Sequence, residues 1–71
     1  MNTDTIGMNA GKVWEALNKA EAMGLKQLKK VTKLKDKEVF AAIGWLAREG
    51  KLEINVDPAD EKEYILSLVQ G

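Results

Sequence analysis

Seventy-one residues, 45% of them apolar and 31% charged, fit one small globular domain and exclude a disordered chain. Eleven basic and eleven acidic residues cancel, and a zero net charge counts against strong non-specific affinity for nucleic acid. With neither Cys nor His, the chain has no disulfide, no thiolate or imidazole metal ligand, and none of the usual thiol nucleophiles or imidazole bases.

A chain this short buries only about 60% of the surface its unfolded form exposes, so dimerisation is an open route to further stability. The longest apolar run, Val39 to Leu46, contains Gly44 and falls far short of the ~18 residues needed to cross a membrane. The opening MNTDTIGMN has neither a basic nor an apolar leader region, so no signal peptide is expected and the cytoplasm is the default location.

Residues 1–8 show no periodicity and are expected to form a flexible N-terminus, leaving a single domain over residues 9–71. Asn9 reads as an N-cap, with Met8 stapled onto Val13. Ala10, Val13, Trp14, Leu17 and Ala20 recur at helical spacing and predict a first helix over roughly 10–22, stopped by Gly24. Leu25, Leu28, Val31 and Thr32 mark the inner face of a short second helix that opens without a clear cap. A tight connection from Thr32 to Lys35 leads to a third helix, where Asp36 and Glu38 suit the N-terminal dipole. Val39, Ala42, Ile43 and Leu46 give it a core stripe, and Gly50 ends it.

Beyond Gly50 the period becomes two. Leu52, Ile54 and Val56 alternate with Lys51, Glu53 and Asn55 as in a half-buried strand. Asp57-Pro58-Ala59-Asp60 supplies a turn, and Glu63 to Val69 forms a second strand with Tyr64, Leu66 and Leu68 on one face. The predicted fold class is α+β: three helices followed by a two-stranded hairpin, with a third short strand admissible near Gly24–Leu25.

The stretch GLKQLKKVTKLKDKEVFAAIGWLAREGKLEI, from Gly24 to Ile54, resembles a winged helix-turn-helix. In detail, EVFAAIGWLAREGKL is similar to a family of small, stand-alone winged helix-turn-helix domains of unknown function in bacteria and archaea. The likeness extends from the first helix through the wing. The broader superfamily implies duplex DNA binding, with the third helix in the major groove and the wing on the backbone.

If the core stripe faces inward, Lys37, Phe40, Ala41, Gly44, Trp45 and Arg48 face outward on the third helix. Only Lys37 and Arg48 can donate to a phosphate or base edge; Phe or Ala can touch a thymine methyl but cannot give a bidentate code. Phe40, Ala41, Gly44 and Trp45 are therefore candidates for a dimer or partner interface. Core packing under the wing or the first helix, and DNA contact, remain open at this stage. Lys26, Lys29, Lys30, Lys33, Lys35 and Lys37, with Arg48, are the candidate nucleic-acid contacts, against the alternative of a solvated helix face. Asp57, Asp60, Glu61 and Glu63 place negative charge where a DNA-binding wing needs positive charge, and their spacing does not make a calcium loop. Ser67 lies in a strand with no base beside it, and no glycine-rich phosphate loop is present. No catalytic residue, metal, cofactor or small-molecule ligand is expected. Two functions stand: a nucleic-acid-binding module of regulator type, expected to be homodimeric, or a dimerising or partner-binding domain that does not use its third helix on DNA.

Overall fold

A computed structural model describes residues 1–69. In chain order it has α1 (Thr3–Asn18), β1 (Met23–Gly24), α2 (Leu25–Thr32), α3 (Asp36–Arg48), β2 (Leu52–Asp57) and β3 (Asp60–Leu68). The three strands form one antiparallel sheet in the order β1-β3-β2. The third strand admitted by the sequence is therefore present, at Met23–Gly24.

Helix α1 starts at Thr3, not near residue 10. Asn2, rather than Asn9, is its cap, and its side-chain oxygen accepts from the Thr5 backbone N–H at 2.8 Å. Asn9 is instead buried in mid-helix, and its Nδ2 has no hydrogen-bond partner among the described residues. Met8 is exposed and staples nothing. Thr3, Thr5, Gly7 and Gly11 are poor helix formers, which hides this first stretch from a periodicity reading. The helix also ends earlier than expected, at Asn18, and Gly24 opens α2 rather than closing α1.

The core is built from one face of each helix and the root of the sheet: Val13 and Leu17 of α1, Leu25 and Leu28 of α2, Val39, Ala42, Ile43 and Leu46 of α3, and Leu52 and Leu66 of the sheet. Every residue of the predicted α3 stripe is buried. In α2 the prediction fails at Val31, which is half exposed, because the helix is only eight residues long and rests on Leu25 and Leu28.

Two left-handed residues set the connections. Lys33 (φ 60°) ends α2, and Gly50 (φ 71°) ends α3. At Gly50 the Lys51 N–H donates to the Leu46 carbonyl and the Gly50 N–H to the Ala47 carbonyl, the paired bonds of a Schellman motif. At the other end of α3 the Glu38 carboxylate accepts from the Lys35 N–H at 2.8 Å. The missing cap of α2 comes from far along the chain. Glu63 on β3 points its Oε2 at the Lys26 N–H, 3.4 Å away, and lies close over Gly24. A Cβ at Gly24 would sit 3.2 Å from that oxygen, so the glycine leaves room for the carboxylate to approach.

Candidate nucleic-acid interface and the apolar cleft beside it

Helical geometry separates the outward residues of α3 into three zones. At roughly 100° per residue, Lys37, Ala41, Gly44 and Arg48 fall within about 60° of one another, directly opposite the core stripe. They form the outermost strip: small in the middle, cationic at both ends. Open space surrounds the Gly44 Cα, with nothing within 4 Å of where a Cβ would be. Phe40 and Trp45 lie about 140° apart, one on each shoulder of that strip.

Each shoulder packs on a different neighbour. The Trp45 ring lies over Gly7 of α1, 3.7 Å from the position of a Cβ there, and borders a groove with Gly11 and Trp14. Its remaining exposure is 37%. Phe40 leans toward the wing and lines a cleft of about 300 Å³ with Leu25, Ile43, Ile54, Tyr64 and Leu66. Phe40 is 52% exposed. The four residues grouped on the sequence as one apolar face are thus two shoulders and a strip between them.

Of the candidate lysines, Lys26, Lys30, Lys33, Lys35 and Lys37 are exposed, as is Arg48. Lys29 differs. Its ammonium is 3.0 Å from the Asp36 carboxylate, a pair that ties α2 to the start of α3 across the turn. Thr32 tightens the same turn, donating its hydroxyl to the Leu28 carbonyl at 2.8 Å and accepting from the Leu34 N–H at 3.4 Å.

The wing departs most from expectation. Cross-strand pairs Leu52↔Leu68, Ile54↔Leu66 and Val56↔Tyr64 place six apolar side chains on one face of the hairpin, as the alternation predicts. Of β2, however, only Leu52 is buried, whereas Ile54 is 46% and Val56 54% exposed. The expectation of a continuously half-buried strand is corrected: the hairpin outruns the helices, and nothing among the described residues covers its outer half. Ile54 and Val56, on the side of β2 that the alternation predicts to be covered, and Tyr64 on the same face of β3, are surface residues.

At the wing tip, the Asp57 side chain accepts from the Ala59 N–H at 2.9 Å and the Asp60 side chain from the Lys62 N–H at 3.0 Å, so both carboxylates shape the turn. Glu63 is drawn back to α2 and does not belong to the tip. Among the described residues no cluster of acidic side chains is arranged to hold a metal ion, and no helix is long and apolar enough to cross a membrane.

No curated protein sequence matches this chain. Among solved structures, protein BT2368 from Bacteroides thetaiotaomicron is 34% identical, with a TM-score of 0.80 over 96% of this chain and 79% of that one. The PcaV transcriptional regulator from Streptomyces coelicolor gives 0.81 at 21% identity, over 86% of this chain and 45% of that chain. A MarR mutant from E. coli, solved in complex with operator DNA, gives 0.77 at 19% identity, over 97% and 46%. The present chain therefore spans less than half the length of these two regulators, and at such identities the likeness is one of fold. A family model described as a winged helix-turn-helix domain matches residues 1–68, which takes in α1, the helix-turn-helix and the wing, and the chain accordingly belongs to the winged helix-turn-helix domain family DUF2582.

Proposed function

We propose that this chain is a duplex-DNA-binding module of the transcription-regulator type that holds DNA mainly through its backbone. The observation that carries this reading is the outer strip of α3. Ala41 and Gly44 keep its centre low, Lys37 and Arg48 stand about 16 Å apart at its ends, and the exposed Lys30, Lys33 and Lys35 continue it through α2 and the turn. A strip of this shape can lie against a groove while its cations reach phosphates, which position a protein without specifying sequence. The operator complex of the MarR relative supports the same use of the fold. The small residues at the centre cannot form bidentate contacts, so base discrimination would fall to Lys37 and Arg48.

The test is binding of a random-sequence duplex as salt is raised. Neutralising about five phosphates predicts a slope of log K against log salt near −4 to −5, and Lys30→Ala with Lys33→Ala should flatten it by about 2. Absence of binding at low salt would remove this reading.

A second reading, a self-associating or partner-binding domain, is favoured by the uncovered apolar wing and the Phe40 cleft. An exposed apolar surface of this kind on a small domain marks an interaction site.

A further inference from the structure

Strand β2 is one edge of the sheet, and Leu52–Asp57 runs along it with no strand beyond among the described residues. The Val69 N–H donates to the Lys51 carbonyl at 3.0 Å, which fixes the alternation of the ladder. Glu53 and Asn55 turn their backbone groups to β3, as the Lys51 carbonyl does. Leu52, Ile54 and Val56 turn theirs outward, where no turn or loop bond among the described residues ends on them. The irregularity after Val56 lies on β3, whose residues 61–63 have no partner on β2, so β2 itself is unbroken to Asp57. A free edge is a template for another strand, and a bulge or a proline blunts it. This edge carries neither before Pro58.

We infer that two copies of the chain join these edges antiparallel, with Ile54 opposite Ile54 on a two-fold axis perpendicular to the sheet, into one six-stranded sheet. The inference rests on the self-association reading above and not on DNA binding. What selects a second copy is the edge sequence KLEINVD, from Lys51 to Asp57, which complements itself when read backwards. With Ile54 at the centre, Leu52 meets Val56, Glu53 meets Asn55 and Lys51 meets Asp57, each of these pairs made twice by the symmetry. Apolar faces apolar, a carboxylate faces an amide that donates to it, and a cation faces an anion at both ends. The Asp57 carboxylate gives one oxygen to the Ala59 N–H and keeps the other for the ammonium. Sliding one copy by two residues sets Glu53 against Glu53, or against Asp57, according to direction, and longer slides overlap too little of the strand. A one-residue slide opposes apolar to charged faces and misaligns the outward N–H groups. The same register brings Ile54 and Val56, exposed in the single chain, beside Ile54 and Leu52 of the other copy. The tip of each wing thereby lies along the root of the other, which gives it cover that its own helices do not reach.

Sedimentation and amide exchange of the full chain, from micromolar to millimolar concentration, test the pairing. The expected dimer slows exchange at Leu52, Ile54 and Val56 as concentration rises. The Glu53 and Asn55 amides, already in the β2–β3 ladder, should be protected throughout. Ile54→Pro removes an outward N–H that bonds nothing in the single chain, so the hairpin should stand while the dimer is lost. Lys51→Glu and Asp57→Lys each set like charges at both ends, and each should weaken self-association about tenfold. An equimolar mixture of these two variants makes both ends complementary again and should recover the wild-type association. A dimer that leaves the Leu52, Ile54 and Val56 amides exchanging freely, or that ignores the charge variants, overturns this pairing and puts the contact on another face. A wild-type monomer throughout overturns both the pairing and the self-association reading.

Discussion

Helix α3 and the wing carry the same kind of signal, a regular apolar repeat, yet they meet different fates. Val39, Ala42, Ile43 and Leu46 are buried, because α1, α2 and the sheet root close over them. On β2 the repeat Leu52, Ile54, Val56 runs from buried to more than half exposed within four residues. The local geometry of both elements is satisfied; what differs is whether another part of the chain reaches far enough to cover them. An apolar repeat therefore specifies the face of an element, while cover depends on the length and placement of its neighbours.

The sharpest way to break this contrast is to make one apolar side chain in each region smaller or polar. Leu46→Ala in the covered stripe should cost about 2–5 kcal/mol in chemical denaturation, through lost burial and a residual cavity. Val56→Thr on the uncovered wing should stay within about 0.5 kcal/mol of wild type at a concentration where the chain is monomeric. Comparable losses at the two sites would mean that the outer wing is covered after all. The junction between the regions comes next in size. Glu63→Ala removes the carboxylate that caps α2 from the sheet, and a loss of about 1 kcal/mol is expected, with faster amide exchange at Lys26 as the local signature. An unchanged Lys26 amide would show that the contact contributes nothing. The smallest expected effect is a gain. Lys33 bears a side chain in the left-handed region that Gly50 occupies without strain, so Lys33→Gly should stabilise the chain by about 0.5 kcal/mol. A measured loss would mean that its αL conformation is already favourable.

Legibility in the sequence followed the range of the interaction concerned. The α3 stripe, its acidic start and its Gly50 stop are all local, and each was readable. The start of α1 is hidden in the sequence because Asn2 and Asn9 are equally good caps by type, and the glycine and threonines between them weaken the periodic signal. For the candidate site, the outward set on α3 was identified as a group. Its division into a central strip and two shoulders needed the positions of α1 and the wing. Lys29 looks like its neighbouring lysines in the sequence, and only the fold brings Asp36 beside it.

By itself, the sequence determined the order of the helices and the hairpin, the inward face of α3, the turn at Asp57–Asp60 and the winged helix-turn-helix frame, because these depend on residue type and on spacings within a few turns. The tertiary structure alone decided that Phe40 turns to the wing while Trp45 lies over Gly7, that Glu63 caps α2 from 37 residues away, and that Ile54, Val56 and Tyr64 stay uncovered. Those outcomes depend on where distant segments come together and how far each one reaches. No local pattern encodes that reach.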